Sequence, residues 1–177
     1  MITPNKDFYV ICDNIRSLEN IGSIFRTADA LGVSKIFLCV ISVRPAIVEN
    51  KSTFLKRKVL GRAPNLLGAL VAKTALGADK TVPFEYYKQT GRLIDKLRKE
   101  KIFIVTLEQS KKTINYRKFK PKFPLALIIG NEVKGIPLKI LKKSDKIIYL
   151  PMIGKKESLN VSVAFGVAGY HIIKHKT

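Results

Sequence analysis

The most informative stretch of this chain is residues 150–174, which read LPMIGKKESLNVSVAFGVAGYHIIK. The apolar run 147–150 predicts a buried strand that stops at Pro151, because proline cannot continue a central ladder. After a polar loop, Ser158 stands where an N-cap is expected, before a long apolar helix over 159–173. A strand, a turn and a helix start in series can hold a small ligand. The same features also fit an ordinary strand–loop–helix with a capping serine. The rest of the sequence is therefore needed to distinguish a ligand site from a purely structural segment.

Small residues recur along the expected helix, at Ala164, Gly166, Ala168 and Gly169. Glycine lowers helix propensity, so its repeated use needs a reason. We therefore expect another element to pack very close to this helix.

The first forty residues predict a strand–helix–strand unit. Residues 8–12 (FYVIC) and 35–41 (KIFLCVI) are rich in strand-forming side chains. Between them, apolar residues recur at helical spacing over 21–31, with Asn20 as the expected N-cap and Gly32 as the expected C′ residue. Such a unit implies parallel strands.

The rest of the chain continues this alternation. Further strands are expected at 81–87, 102–107 and 125–129, helices at 65–75, 90–99 and 137–143, and basic loops at 42–62 and 111–122. The sequence therefore predicts a single α/β domain over 1–177, an open, mostly parallel sheet covered on both faces.

Composition narrows the class of protein. Cys12 and Cys39 lie inside strand-like runs, which indicates buried thiols in a reducing compartment and no disulfide. His171 and His175 are four residues apart but have no third ligand type beside them, so we expect a basic helix end rather than a metal site. No apolar run approaches the ~20 residues of a membrane span.

The charge of the chain points to a polyanionic partner. The formal net charge is +20, and residues 51–146 carry 24 Lys or Arg against 7 Asp or Glu. Modest charge is enough for solubility, so nucleic acid explains this excess better than a solvated surface does. An acidic membrane surface is a weaker alternative, because no basic amphipathic helix with bulky aromatics accompanies the charge.

Three polar clusters lie at strand ends or helix starts, where open α/β sheets bind ligands. The first is Asn20, Gly22 and Arg26, in which the glycine leaves room beside the arginine for a phosphate or sugar. The second is the turn 130–135 (GNEVKG), which carries Glu132, and the third is 158–160. Simpler explanations are an N-cap with a surface Arg26 paired to Asp29, a turn with a solvated Glu132, and a capping Ser158.

Common nucleotide-binding and catalytic motifs are absent. The sequence holds no GxGxxG after the first strand, no GxxxxGK[ST], no GxSxG, no HExxH and no CxxC.

Together, the clusters resemble a known family. NIGSIFRTADALG (20–32), ALIIGNEVKGIP (126–137) and LPMIGKKESLNVSVA (150–164) look like the three motifs of the SpoU/TrmH branch of the SPOUT superfamily. These are S-adenosylmethionine-dependent RNA 2′-O-ribose methyltransferases. The resemblance covers nearly the whole chain, with the motifs in the right order and spacing.

The resemblance implies a fold and partners. The expected fold is the SPOUT-type α/β knot, an open, mostly parallel sheet with a trefoil knot in its C-terminal third. The expected assembly is a homodimer with the knot and the small-residue helix at its interface. No separate RNA-binding extension is visible, so RNA capture falls on the basic segments 51–62, 88–101 and 111–122, with salt-dependent affinity.

The resemblance also implies a site. S-adenosyl-L-methionine would be lined by Thr106, Leu107, Gly130, Leu150, Met152, Ser158 and Leu159. Catalysis would centre on Arg26, with Asn20 and Glu132 orienting it and the sugar, and with Ser158 and Asn160 ordering the cofactor loop. Because a guanidinium is essentially always protonated, we expect Arg26 to bind the adjacent phosphate and stabilise the developing alkoxide rather than to act as a base.

The function expected from the sequence is methyl transfer to a ribose 2′-hydroxyl of tRNA or rRNA, in the cytoplasm, without a metal or a membrane. A non-catalytic RNA-binding or assembly protein on the same fold is the alternative. Methylation of a base is a further one, which the SpoU-type motifs disfavour.

Overall fold

The computed structural model describes residues 5–40, 73–110 and 113–176. Its strands are β1 (Phe8–Asp13), β2 (Lys35–Cys39), β3 (Phe84–Tyr87), β4 (Phe103–Leu107), β5 (Ile114–Asn115), β6 (Leu125–Gly130) and β7 (Lys146–Tyr149). Its helices are α1 (Leu18–Ala30), α2 (Ala78–Thr81), α3 (Thr90–Lys99), α4 (Leu138–Leu141) and α5 (Val161–Ile173), with a 3₁₀ turn at Tyr116–Lys118. The basic loop expected at 42–62 and most of the helix expected at 65–75 lie outside the described residues.

The strands form one sheet in the order β3-β2-β1-β6-β4-β7-β5, and every described pair is parallel. This confirms the parallel sheet and the strand–helix–strand unit expected from the sequence. Asp13 pairs with Gly130 and Leu107 pairs with Ile148, so four neighbouring strands end at one edge. Residues that follow these strands therefore come together in space.

Hydrophobic cores cover the sheet on both faces, as expected. On one face, α1 and α5 bury large side chains such as Phe25 and Phe165. On the other, α3 and α4 bury Leu93, Ile94 and Ile140. Both helix layers leave the edge at the strand carboxyl ends open, where the polar clusters lie.

The expected N-terminus of α1 was wrong by three residues. The helix begins at Leu18, and its N-cap is Ser17, whose hydroxyl oxygen accepts a 3.1 Å hydrogen bond from the amide of Asn20. Leu18 is buried, so starting the helix earlier adds apolar contact as well as a cap. The side chain of Asn20 is consequently free for other contacts. At the other end Gly32 has a φ of +61°, the left-handed conformation expected of a C′ residue.

The expected cap of α5 was also wrong. The helix begins at Val161, and the side chain of Asn160 accepts a 2.9 Å hydrogen bond from the amide of Ser162. Ser158 and Leu159 precede the helix as irregular backbone. The cap function therefore belongs to Asn160, because its oxygen reaches the second amide of the helix.

The two glycines of α5 face α1 and its C-cap in the same chain, whereas Ala164 lines a pocket at the carboxyl edge of the sheet. A methyl group at Gly169 would lie 2.4 Å from Cδ1 of Leu31, and one at Gly166 would lie 3.8 Å from Cγ2 of Thr27. The expected close approach is present, and within the described residues α1 makes it. The exposed side of α5 instead carries the larger side chains Val163, Val167 and Tyr170.

Two other segments differ from the elements that the sequence predicted. The segment 81–87 divides into the end of α2 and strand β3, since Pro83 has no amide hydrogen for a ladder. The basic segment 111–122, expected as a loop, contains β5 and the 3₁₀ turn.

Cys12 and Cys39 are buried in neighbouring strands and form no disulfide. Burial raises the pKa of both thiols, that of Cys39 to about 12, so both stay protonated at neutral pH. Within the described ranges, no helix is long and apolar enough to cross a membrane.

Candidate active site

A pocket opens at the carboxyl edge of the sheet, where β4, β6 and β7 end. It is lined by Leu107, Glu108, Gln109, Ile129, Gly130, Asn131, Glu132, Val133, Gly135, Tyr149, Leu150, Met152, Ser158, Leu159, Val161 and Ala164. These residues come from the ends of three strands, from the turn after β6, from the segment before α5 and from the first turn of α5. The second and third polar clusters of the sequence thus share one pocket.

Gly130 lies where the pocket wall is tightest. A methyl group on its Cα would lie 2.3 Å from Cγ1 of Ile136 and 3.1 Å from the carbonyl carbon of Gly135. The turn closes on itself here, because the amide of Gly135 donates a 3.0 Å hydrogen bond to the carbonyl of Asn131. Only a residue without a Cβ fits this arrangement.

Two pocket residues, Glu108 and Gln109, escaped the sequence reasoning. Oε2 of Glu108 accepts a 2.8 Å hydrogen bond from the amide of Ile136, after the turn. Nε2 of Gln109 donates a 2.7 Å hydrogen bond to the carbonyl of Leu150, at the start of the third cluster. The end of β4 therefore joins both loops of the pocket. Their position directly after a buried strand was the one available signal.

Three of the expected catalytic residues form a hydrogen-bonded chain at the pocket mouth. Nδ2 of Asn20 donates to Oε1 of Glu132 over 2.9 Å, and Oδ1 of Asn20 accepts from Nδ2 of Asn160 over 3.0 Å. Asn160 in turn accepts from the hydroxyl of Ser162 over 2.7 Å. The chain joins α1, the turn after β6 and the start of α5. We call Asn20, Glu132 and Asn160 the amide bridge.

Arg26 lies apart from the amide bridge. It is exposed on α1, six residues beyond Asn20, which places it ~9 Å along the helix axis. The ion pairs within the described residues are Lys35–Glu85, Arg98–Asp145 and Lys143–Asp95, so Arg26 has none there. Asp29, its expected surface partner, accepts a hydrogen bond from the hydroxyl of Thr81 instead. The guanidinium therefore remains available to an anion.

The expected cofactor residues divide into two groups. Leu107, Gly130, Leu150, Met152, Ser158 and Leu159 line the pocket. Thr106 does not, because its side chain is buried and its hydroxyl lies 2.5 Å from that of Ser144. Ser158 is exposed at the pocket wall.

A buried carboxyl group lies behind the pocket. Asp13 ends β1 beside Gly130 and accepts a hydrogen bond from the hydroxyl of Thr90. Burial raises the pKa of Asp13, although the Thr90 hydroxyl and the Lys139 ammonium oppose the shift. The next residue, Asn14, accepts a 2.9 Å hydrogen bond from Nδ2 of Asn131, which ties β1 to the turn after β6.

The open parallel sheet and the pocket at its carboxyl edge define an α/β protein with a ligand site at the strand ends. Residues 53–170 match the family model of the SpoU rRNA Methylase family. The chain belongs to this family, which confirms the resemblance seen in its motifs.

Curated relatives agree with this assignment. The "Putative TrmH family tRNA/rRNA methyltransferase YacO" of Bacillus subtilis is 32% identical over 169 residues, which cover 96% of this chain and 59% of that protein. The "tRNA (guanosine(18)-2′-O)-methyltransferase" of Aquifex aeolicus is 28% identical over 165 residues, covering 93% of this chain and 68% of that protein. The chain thus spans about three fifths of the Bacillus subtilis protein.

Solved structures share the fold. The TrmH/SpoU tRNA modifying enzyme of Aquifex aeolicus superposes with a TM-score of 0.77 at 27% identity, covering 97% of this chain and 76% of that one. The AdoMet-bound rRNA methyltransferase of Sinorhizobium meliloti gives a TM-score of 0.78 at 23% identity, covering 99% of this chain and 59% of that one.

Proposed function

We propose that this chain transfers a methyl group from S-adenosylmethionine to a ribose 2′-hydroxyl of tRNA or rRNA. The amide bridge is the observation that carries the proposal. It ties Asn20 to Glu132 and Asn160 at the mouth of a pocket, within reach of a substrate that enters from solvent. A non-catalytic protein has no need of three polar side chains held in this way.

The pocket fits the proposed cofactor. Apolar side chains of Leu107, Leu150, Met152 and Leu159 supply walls for a planar base, and the close turn at Gly130 exposes backbone groups to it. The carboxylates of Glu108 and Glu132 line the same pocket and favour a cationic ligand. When bound, S-adenosylmethionine supplies a methyl group activated on a sulfonium.

The remaining work falls to the protein. A ribose hydroxyl is a weak nucleophile, so the charge that develops on its oxygen must be stabilised. We assign this to Arg26, which would bind the adjacent phosphate and stabilise the alkoxide. The amide bridge would orient the sugar. Since no hydrogen bond or ion pair joins Arg26 to Asn20 or Glu132 in the described part of the chain, we assign its orientation to the RNA phosphate.

The product of the reaction tests the proposal. The purified chain is incubated with radiolabelled S-adenosylmethionine and unfractionated tRNA or rRNA, and the RNA is hydrolysed in alkali. Methylation of the ribose yields labelled, alkali-resistant dinucleotides, because the 2′-oxygen can no longer attack the phosphate. Label in mononucleotides alone would indicate base methylation and contradict the proposal.

A non-catalytic RNA-binding or assembly protein is distinguished by calorimetry. We expect S-adenosylmethionine to bind the free chain. Lack of binding, together with intact RNA binding, would favour the assembly protein. Mapping of 2′-O-methylation in host RNA with and without this protein would then identify the nucleotide.

We also propose a homodimer. The exposed stripe of Val163, Val167 and Tyr170 follows α5 at helical spacing, with exposed fractions of 52%, 38% and 58%. Exposed apolar side chains in a row are typical of an association surface. Val163→Glu should shift the sedimentation coefficient towards a monomer, whereas Ile153→Glu, on an exposed residue outside α5, should not.

The trefoil knot of the C-terminal third is a further proposal. The 2.7 Å bond between Gln109 and Leu150, which joins the end of β4 to the third cluster, is compatible with it. Pulling the unfolded chain by its ends tests it. A fully extended chain spans ~3.6 Å for each of its 177 residues, and a tightened knot would make the stretched chain shorter than this full length. An unknotted chain reaches that full length. The buried thiols of Cys12 and Cys39, which form no disulfide, support the proposed cytoplasmic location.

A further inference from the structure

Four side chains form a continuous series of contacts at the C-terminal end of α5. The guanidinium of Arg117 lies 5.7 Å from the ring centre of Tyr116. The ring of Tyr116 meets that of His171 at 5.4 Å and 75°, and His171 meets His175 at 5.2 Å and 65°. We call these four residues the Tyr116 ladder.

The backbone holds the ladder in place. Asn115 caps the 3₁₀ turn by accepting a 3.0 Å hydrogen bond from the amide of Arg117. A ring nitrogen of His171 lies 2.8 Å from the carbonyl oxygen of Phe119, which is buried in the core. The ladder is therefore arranged before any partner arrives, which lowers the entropic cost of binding.

The two chain segments that carry the ladder are basic. Residues 113–122 and 171–176 contain Arg117, Lys118, Lys120, Lys122, Lys174 and Lys176, and no Asp or Glu. Arg117 makes no ion pair within the described residues. Its Nε donates a 3.4 Å hydrogen bond to the hydroxyl of Tyr116, which leaves both terminal nitrogens free for a phosphate.

The other described basic segment, 88–101, differs in this respect. Arg98 pairs with Asp145 over 2.8 Å. Asp95 and Glu100 lie within the segment itself. Part of its charge is thus already compensated, so its attraction for a polyanion is weaker than that of the Tyr116 ladder.

We propose that the Tyr116 ladder is a docking surface for unpaired RNA. The exposed ring of His175 would stack on a base. Arg117, held in place by its contact with the Tyr116 side chain, would bind a phosphate. Both segments of the ladder meet at the end of α5. His171 lies eleven residues beyond Asn160, which corresponds to ~16 Å along the helix axis. The inference rests on the proposed function, because the RNA docked here would be its substrate.

Binding of labelled unfractionated tRNA and of a short oligouridylate tests the ladder. The variants are Arg117→Gln and His175→Ala, both at exposed positions, and the matched control is Lys142→Gln, which removes an exposed positive charge just after α4. Affinity is measured by fluorescence anisotropy over a salt series. Thermal unfolding of each variant confirms that it is folded.

We expect Arg117→Gln to weaken RNA binding about tenfold and to reduce the slope of log K against log salt by about 1. His175→Ala should weaken binding at least about fivefold, since it removes a ring on which a base can stack. Lys142→Gln should stay within about twofold of the wild type, because this single exposed charge follows α4 on the opposite face of the sheet from α5.

RNA binding by both ladder variants within twofold of the control would overturn the inference and reduce the ladder to a packed helix end. Binding of S-adenosylmethionine by the wild type is measured separately. Its absence would contradict the proposed function, whereas normal cofactor binding with unchanged RNA binding by both variants would contradict the ladder alone.

Discussion

Asn20 and Glu132 are separated by 112 positions in the chain, yet Nδ2 of Asn20 donates a 2.9 Å hydrogen bond to Oε1 of Glu132. The other end of the same amide accepts from Asn160. One side chain thus uses both of its polar atoms to join the turn after β6 to the start of α5. The arrangement places three separate motifs of the sequence in one site.

Replacing Asn20 with Ala should remove the amide bridge. We expect turnover to fall about a hundredfold, the scale of losing one preorganised polar group at a reacting centre, with a stability loss of about 1 kcal/mol. Affinity for S-adenosylmethionine should change little. Labelled methyl transfer, calorimetry and urea unfolding measure the three effects. Gln89→Ala, whose side chain makes no cap bond at α3, is the control. Full turnover by Asn20→Ala would contradict the role of the bridge.

Arg26→Lys tests the assignment of the guanidinium. Lysine keeps the charge but lacks the planar fork that binds a phosphate through two parallel hydrogen bonds. We expect turnover to be lost while S-adenosylmethionine still binds. Arg92→Lys, an exposed arginine on α3, should keep wild-type turnover. If Arg26→Lys also turned over at nearly the normal rate, the guanidinium would not be essential.

Two substitutions distinguish the two candidate N-cap residues of α5, Asn160 and Ser158. Asn160→Ala should cost about 1 kcal/mol of unfolding free energy, the usual value of an N-cap. It should also reduce turnover, because Asn160 belongs to the amide bridge. Ser158→Ala should leave stability unchanged, since Ser158 lies outside the helix. Equilibrium urea unfolding compares them, and a larger loss for Ser158→Ala would reverse the assignment.

Gly130→Ala should damage the pocket. Its methyl group would approach Ile136 and the backbone of Gly135, so the turn must open. We expect S-adenosylmethionine affinity to fall at least about tenfold, a loss of ~1.4 kcal/mol. Gly154→Ala is the matched control, because a methyl group there meets no atom within 4 Å. Calorimetric titration measures the affinity of both variants for S-adenosylmethionine. Equal affinities of the two variants would show that the turn tolerates a side chain at residue 130.

Asp13 predicts a pH dependence. Its raised pKa means that the folded chain holds the proton more tightly than the unfolded chain does. Its contribution to stability is therefore complete below the ordinary pKa of 3.8 and is lost as the pH rises through the folded-state value. Asp13→Asn, neutral at every pH, should be more stable than the wild type at pH 7, and this advantage should disappear in acid.

Asp7 supplies the opposite case. A hydrogen bond from the hydroxyl of Ser34 lowers the pKa of Asp7. This carboxylate therefore contributes stability above the ordinary pKa and loses it as the pH falls. Asp7→Asn should be less stable than the wild type at pH 7. Urea unfolding at a series of pH values tests both variants, and effects of the same sign at pH 7 would contradict the prediction.

Local patterns predicted much of the fold. The bounds of α3, 90–99, follow from Leu93, Ile94 and Leu97 at helical spacing, because burying one face requires that spacing. Helix starts were less predictable. Ser17 and Asn20 are both good caps, and the choice depended on whether Leu18 could be buried. That depends on packing, which the local sequence does not contain.

The candidate site was predictable to the extent that its residues stand in motifs. Gly130, Glu132, Ser158 and Leu159 were expected at a pocket and lie there, and Asn160 reaches Asn20 in the amide bridge. Glu108 and Gln109 were not expected, because a polar pair after a strand is common and their partners lie in other loops. Thr106 was expected at the pocket, but its side chain is buried against Ser144.

The sequence by itself determined most of the order of strands and helices, the buried thiols, the basic character and the family, because apolar period, charge and motif spacing are local properties. Only the tertiary structure decided which side chains meet. It freed Asn20 from capping, turned Gly169 towards Leu31 and brought Tyr116 to His171. These contacts join residues far apart in the chain, and their geometry follows from the packing of whole elements rather than from the residues beside them.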